Sequence, residues 1–224
     1  MTRLLRIDAS ARTSRSLTRA LADQFIQCWL ARKPQDEIVL RDIGSNPPAF
    51  ITEDWIAAAF AKERSADQEA VLAHSNELIV EVASADILVM ATPMYNYGMP
   101  AALKAWFDQV IRVDKTFTFD LARGDTPLEP VLTDKTLVLL TSWGEFGFAP
   151  GGINEGRDNL TPHVRTASRY LGVESFHHVG IEYQEFGDER FQASQDAAFA
   201  ALDPLIDELV GARASGPASR KSAA

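Results

Sequence analysis

The sequence predicts an α/β fold in which a five-stranded parallel sheet has helices on both faces. Short apolar runs rich in strand-forming residues alternate along the chain with segments of helical periodicity. The runs at 87–91 and 136–141 are almost continuously apolar, as strands of a covered parallel sheet are. Right-handed crossovers between five strands favour the order 2-1-3-4-5, in which ligands bind beyond the carboxyl ends of the strands.

The first half of the chain contains three predicted strands and four predicted helices. The strands span 4–7, 37–43 and 87–91, and the helices begin at Ser16, Asp54, Ser65 and Pro100. Pro34 ends the first helix. Ser65 and Gln68 have the spacing of a capping box. Pro100 suits the first turn of a helix. An N–H group in this turn has no acceptor within the helix, so the N–H that proline lacks is not missed there.

The second half begins with an excursion at 115–133, in which residues 116–119 alternate like a strand. It continues with strands at 136–141 and 175–181, a long loop at 142–159, and helices from Thr161 to Gly172 and over 191–210. Thr161 is interpreted as an N-cap before Pro162, and Gly211 as a helix stop. Residues 1–213 are expected to form a single domain, and the small, polar residues 214–224 a disordered tail.

Composition and charge restrict the partners and the location of the chain. The 224 residues carry a net charge of −9 and contain no lysine-rich run, so neither nucleic acid nor a membrane surface is an expected partner. The one cysteine, Cys28, forms no internal disulfide. Because no apolar run has the length of a signal peptide or a transmembrane segment, a cytoplasmic location is expected.

The loop after the first strand concentrates hydroxyl groups at the start of a helix. The hydroxyl-bearing residues are Ser10, Thr13, Ser14, Ser16 and Thr18. The loop has neither of the glycine fingerprints G-x-G-x-x-G and G-x-x-x-x-G-K-[ST]. Free N–H groups and the helix dipole bind a terminal phosphate without a lysine, and Arg12 or Arg15 can offset the negative charge of the molecule. The alternative is that Ser16 serves only as the N-cap of its helix.

Two further loops carry aromatic rings and glycines. The loop after the third strand contains Met94, Tyr95, Asn96 and Tyr97, and the loop after the fourth contains Ser142, Trp143, Gly144, Glu145, Phe146 and Phe148. A phosphate site beside flat rings indicates a mononucleotide with a large planar base, and FMN fits better than ATP because no magnesium site is evident. Ordinary aromatic packing is one alternative. Another is a phospho-acceptor role for Asp8, although no second acid or lysine accompanies it.

From residue 4 to about residue 210 the chain resembles the FMN-dependent NADH azoreductases, also described as NADH:quinone oxidoreductases, of the flavodoxin-like superfamily. The most specific similarity lies at 93–97, at Pro100, at 103–104 and 106–108, and at 116–117. The resemblance implies phosphate contacts from Ser10, Ser16, Leu17 and Thr18, and flavin contacts from Met94, Tyr95, Asn96, Tyr97, Ser142, Trp143, Gly144 and Glu145. Three positions depart from the family pattern, because Tyr97 replaces a phenylalanine, Trp143 an arginine and Glu145 a glycine.

The resemblance also implies a homodimer with two FMN sites at its interface, each lined by both chains. The excursion around Phe119 would then reach the site of the partner subunit. Phe119, Phe146 and Phe148 are expected in the substrate pocket.

The expected reaction is a ping-pong transfer of two electrons from NADH or NADPH, through FMN, to a quinone or an azo compound. No catalytic side chain is expected, because the sequence contains no G-x-S-x-G motif and the cofactor carries the chemistry. No metal is expected either, since the four histidines lack the spacing of metal ligands. Two alternatives are a flavodoxin-like electron carrier without turnover of its own and, because of Trp143 and Glu145, a descendant that has lost FMN.

Overall fold

The structure is a computed structural model that describes residues 1–214. The strands of this part are β1 (Arg3–Asp8), β2 (Glu37–Asp42), β3 (Ile87–Pro93), β4 (Phe117–Phe119), β5 (Leu128–Pro130), β6 (Lys135–Ser142) and β7 (Val173–Ile181). Its helices are α1 (Leu17–Arg32), α2 (Glu53–Phe60), α3 (Ala66–Ser84), α4 (Ala101–Val110), α5 (Thr161–Ser168), α6 (Glu189–Ala200) and α7 (Leu202–Ala214). None of the helices in residues 1–214 combines the length and the apolar character needed to cross a membrane. Apart from Ala214, the predicted tail lies outside the described residues.

Five strands form one parallel sheet in the order β2-β1-β3-β6-β7. Numbered by the predicted strands, this order is 2-1-3-4-5, so the predicted topology is confirmed. The register places Asp8 beside both Asp42 and Ala91, and Ser142 beside Pro93. The carboxyl ends of these strands therefore meet along one edge of the sheet.

Each face of the sheet packs against helices and forms its own hydrophobic core. On one face α3 and α4 contribute Leu78 and Trp106, and on the other α1 and α7 contribute Trp29 and Ile206. All seven residues of β3 are buried, because this strand lies at the centre of the sheet. Burial on both faces explains why residues 87–91 of this strand are continuously apolar.

The predicted helix starts at Ser16 and Ser65 are confirmed. Ser16 Oγ accepts a hydrogen bond of 3.4 Å from the N–H of Arg19, so Ser16 is the N-cap of α1. Ser65 and Gln68 form both hydrogen bonds of the capping box at the start of α3. These side chains satisfy N–H groups that the first turn of a helix leaves without partners.

The prediction of one continuous helix over 191–210 is wrong. The chain forms α6 and α7, which are separated at Ala201. Pro204 explains the break, because it has no N–H to donate to the carbonyl of Ala200 and its ring collides with that carbonyl. Gly211 does not stop the second helix, which runs on to Ala214 and is held by the burial of Leu209 and its apolar neighbours.

The prediction of Thr161 as an N-cap is also wrong, because Thr161 is already the first residue of α5. The capping acceptor is Asp158, whose Oδ1 accepts hydrogen bonds from the N–H groups of Leu160 (2.8 Å) and Thr161 (3.0 Å). The predicted stop at Gly172 is confirmed. This glycine follows a short 3-10 turn and adopts a left-handed φ of 81°.

The excursion folds into an antiparallel hairpin of β4 and β5 that pairs with no strand of the main sheet. Its base is anchored where the ring of Phe117 contacts Tyr170, with 5.7 Å between the ring centroids. Towards its end, Phe119 is 53% exposed and Leu121 is 74% exposed. The hairpin therefore presents apolar side chains to the outside of this chain.

Candidate functional site

A cavity of about 420 Å³ opens at the edge of the sheet where the carboxyl ends of the strands meet. The loops that follow β1, β3, β6 and β7 line it. The predicted site residues that it brings together are Ser10, Ser16, Leu17, Met94, Tyr95, Asn96, Ser142 and Gly144. Because the strand order fixes which loops are neighbours, the predicted residues of three segments far apart in sequence meet in one crevice.

Two smaller sets of predicted residues lie around adjoining pockets. Tyr97, Glu145 and Phe148 line a pocket of about 180 Å³ that shares Met94 and Gly144 with the main cavity. A wider pocket of about 610 Å³ is lined by Glu145 and Phe146, among others. These pockets lie on the side of the long aromatic loop.

Three predicted site residues do not line these pockets. Thr18 is fully buried. Its Oγ1 lies 3.3 Å from Ser16 Oγ, so its side chain supports the loop after β1 from inside the protein. Trp143 is buried, and its ring contacts both His178 and Phe148. Phe119 lies on the β4–β5 hairpin, outside the cavity of its own chain.

The loop between β1 and α1, here called the first loop, presents hydrogen-bond donors and cations to the cavity. Ser10 is buried, and its Oγ accepts a 3.2 Å hydrogen bond from the N–H of Arg12. Within the described residues the guanidinium groups of Arg12 and Arg15 have neither an ion pair nor a hydrogen bond, although both residues line the cavity. Arg15 has a left-handed φ of 54°, which turns the chain into α1. The loop is therefore suited to an anion.

The loop after β3, here called the second loop, is a tight turn closed by two backbone hydrogen bonds between Tyr95 and Gly98, each of 3.0 Å. The central residues, Asn96 and Tyr97, have φ values of 48° and 63°. Positive φ at both central positions is the signature of a type I′ turn. Asparagine tolerates this conformation, whereas a tyrosine there costs about 1 kcal/mol or more. Such strain is typical of a residue whose side chain is used at a site.

Glu145 links the second loop to the long loop after β6, here called the third loop. Its carboxylate accepts hydrogen bonds from the Tyr97 hydroxyl (2.8 Å) and from Asn154 Nδ2 (3.0 Å). The hydrogen bond to this carboxylate raises the pKa of Tyr97 above its ordinary value. Glu145 is absent from the residues with positive φ in the described chain, so its backbone does not need the glycine that the family carries there.

The sequence analysis missed Gln184 and Glu185, which line the cavity from the loop after β7. Glu185 lies against Gly144, since a Cβ built on this glycine would be 2.8 Å from the glutamate side chain. The same rule that selected the other three loops identifies this one, because β7 also ends at the carboxyl edge of the sheet.

Asp8 belongs to a buried ion-pair network. Arg6 donates to both of its carboxylate oxygens, from Nε at 2.9 Å and from Nη2 at 2.8 Å, and Arg19 Nη1 lies 3.2 Å away. The side chain of Asp8 is only 2% exposed. Since cations occupy both oxygens, the phospho-acceptor alternative for this residue is not supported.

Asp42 extends the network at the end of β2 and gives a testable dependence on pH. The hydrogen bonds from Arg19 lower its pKa from 3.8 to about 2. A lowered pKa stabilises the folded state above pH 3.8, and this stabilisation is lost as the pH falls towards 2.

We expect Asp42→Asn to cost about 2 kcal/mol of unfolding free energy at neutral pH, and the difference to narrow between about pH 4 and pH 2. Urea unfolding of both proteins across this range measures it. A difference that is constant with pH would contradict the ion pair.

Known proteins resemble this chain over nearly its whole length. A family model described as flavodoxin-like fold matches residues 2–205. The FMN-dependent NADH:quinone oxidoreductase 2 of Colwellia psychrerythraea is 50% identical over 219 residues, which cover 94% of this chain and 100% of the relative. A protein of the same name from Idiomarina loihiensis is 49% identical over 218 residues, which cover 93% and 91%.

A solved structure shows the same fold at lower identity. The azoreductase from Bacillus anthracis str. Sterne superimposes with a TM-score of 0.82 at 19% identity, covering 93% of this chain and 100% of that one. The chain belongs to the flavodoxin-like family that includes the FMN-dependent NADH:quinone oxidoreductases.

Proposed function

We propose that this chain is an FMN-dependent oxidoreductase that transfers two electrons from NADH or NADPH to quinones or azo compounds. One observation carries the proposal. The cavity that joins a hydroxyl-rich helix start to a strained tyrosine turn occurs in a chain that is 50% identical to an FMN-dependent NADH:quinone oxidoreductase over the full length of that relative.

The residues present fit FMN. The phosphate end of the cavity has the hydroxyls of Ser10 and Ser16 together with Arg12 and Arg15, whose guanidinium groups have no partner among the described residues. The buried acid nearest to it, Asp8, is already paired with Arg6 and so does not repel an anion. At the other end, Tyr95 lines the cavity and is 39% exposed. A phosphate monoester joined to a flat ring system matches this set of groups.

Bound FMN supplies hydride acceptance and two-electron donation, so the protein contributes binding, orientation and electrostatics. Tyr95 and Tyr97, which line the main cavity and its adjoining pocket, would hold the flat ring system of FMN. Within the described residues, the N–H groups of Asn96 and Gly144 have no acceptor. They remain available to stabilise negative charge that develops on a ring during reduction. Phe146 and Phe148 provide apolar walls for an acceptor.

The purified protein is expected to be yellow, to bleach on anaerobic addition of NADH, and to turn over steadily when a quinone is added. The visible absorbance of the flavin follows all three steps. A flavodoxin-like electron carrier would remain yellow without bleaching. A colourless protein that takes up no FMN supplied in excess would exclude the proposal and favour a descendant that has lost the cofactor.

The proposal also covers assembly and location. Residues 1–213 act as a single FMN-binding domain, and two copies form a homodimer with two FMN sites at its interface, each lined by both chains. The exposed Phe119 and Leu121 on the hairpin, outside their own cavity, support the dimer. Sedimentation equilibrium of the purified chain tests it. A cytoplasmic location is consistent with the single cysteine and with the supply of NADH.

A further inference from the structure

Arg19 uses every donor of its guanidinium group on the first loop and its surroundings. Nε donates to the carbonyl oxygen of Arg12 at 3.0 Å, and Nη2 to the carbonyl oxygen of Ser10 at 2.8 Å. The remaining donors bind the carboxylates of Asp8 and Asp42. A guanidinium has five N–H donors, so none is left over. The side chain is 13% exposed and points into the molecule rather than into solvent.

The location of this arginine is unusual for a cation. Arg19 lies in the first turn of α1, where the positive end of the helix dipole disfavours a positive charge. Asp8 and Asp42 offset this cost by pairing with it. Asp42 is itself fixed, because the N–H and the hydroxyl of Ser45 donate to it at 3.0 and 2.9 Å. The guanidinium is therefore held rigidly between the end of β2 and the first loop.

Fixing two carbonyl groups also fixes the N–H groups that follow them. In a trans peptide the C=O of one residue and the N–H of the next point in opposite directions, and the described chain contains no cis peptide. The carbonyls of Ser10 and Arg12 point at Arg19, so the N–H groups of Ala11 and Thr13 point away from it. In the described chain these two N–H groups have no acceptor.

We propose that Arg19 is a positioning residue that turns the donors of the first loop towards the phosphate of the cofactor without touching it. The inference rests on the proposed function, since it assumes that the loop holds the phosphate of FMN. Arg19 is not among the residues that line the cavity, whereas Ser10, Arg12 and Ser16 are. Its contribution therefore passes through the backbone of the loop.

This role requires the planar fork of arginine and more than its charge. A lysine at position 19 keeps the positive charge but is a single point donor that cannot hold two carbonyls and Asp42 together. We therefore expect Arg19→Lys to weaken FMN binding by at least about tenfold. Riboflavin has the same ring system and no phosphate, so its affinity is expected to change by less than about twofold. Quenching of flavin fluorescence, with the full chain freed of its flavin, measures both affinities.

Arg32→Lys is the matched control, because Arg32 also pairs with two carboxylates, Asp203 and Asp207, far from the cavity. It is expected to leave both affinities unchanged. A second variant, Asp42→Asn, removes the anchor of Arg19 and leaves the cation in place. It is expected to weaken FMN binding in the same direction and to add little in the Arg19→Lys background, since both changes break one unit.

The outcomes separate the inference from the proposed function. Wild-type affinity for FMN in Arg19→Lys would overturn the positioning role, and so would an equal loss of FMN and riboflavin affinity. A wild-type chain that binds neither flavin would instead overturn the proposed function. Thermal unfolding of each variant without flavin identifies any loss of affinity that comes from a loss of fold.

Discussion

Replacing Ser16 with aspartate is expected to abolish the retention of FMN while leaving the fold intact. Ser16 is the N-cap of α1 and lines the cavity, and aspartate caps a helix as well as serine does. The new carboxylate would face the phosphate. At about 4 Å and an effective dielectric constant of about 20, two unit charges repel by about 4 kcal/mol, which lowers affinity about a thousandfold. The flavin content of the purified variant measures the loss.

Ser16→Asn is the matched control for this prediction. Asparagine also caps a helix and has nearly the shape of aspartate, but it brings no charge. We expect this variant to purify yellow and to keep an affinity near that of the wild type. If the aspartate variant retained as much flavin as the asparagine variant, the phosphate would not lie at the first loop.

Replacing Gly44 with alanine is expected to lower the free energy of unfolding by about 3 kcal/mol and to weaken FMN binding with it. A Cβ on this glycine would lie 2.0 Å from the carbonyl oxygen of Ser10 and 2.6 Å from its carbonyl carbon. Both neighbours are backbone atoms, so no flexible side chain can make room. The carbonyl that would have to move is the one that Arg19 holds. Urea unfolding and FMN titration measure the two effects.

Gly211→Ala serves as a control for the chemical change itself. Gly211 lies within α7, and among the described residues, its neighbours and the backbone of its own helix apart, no atom lies within 4 Å of the Cβ that alanine would add. Alanine is a better helix former than glycine, so this variant is expected to gain up to about 1 kcal/mol. If the Gly44→Ala protein were as stable as the wild type, the backbone at Ser10 could move at little cost, and the prediction of a rigid first loop would be wrong.

The sheet and three of the cavity loops were predictable because they follow from periodicity and strand order. A run such as residues 87–91 of β3 is apolar at every position only when both faces of the sheet are covered. Once the order is known, the loops after β1, β3 and β6 must meet at one edge. The hydroxyls of Ser10 and Ser16 then indicate an anion by their chemistry alone.

Other features depend on contacts that no local pattern reveals. The inward orientation of Trp143 follows from its packing on His178 and Phe148, which lie 35 and 5 residues away in sequence. The capping role of Asp158 depends on how the long loop approaches α5. Pro204 predicts the break at Ala201, because proline interrupts a helix. The apolar residues on both sides of the break keep helical spacing, which favoured the prediction of one continuous helix.

The type I′ turn that carries Tyr95 and Tyr97 has a consequence for the thermodynamics of recognition. Its backbone is closed by paired amide hydrogen bonds, and the Tyr97 ring is tethered at its hydroxyl to Glu145. Ordering a free side chain on association costs about 0.5–1.5 kcal/mol. Here that rotational freedom is given up when the chain folds. Tyr97 is therefore already ordered before a flat ligand binds. Less of the favourable contact energy is spent on ordering this side chain, and more of it contributes to affinity.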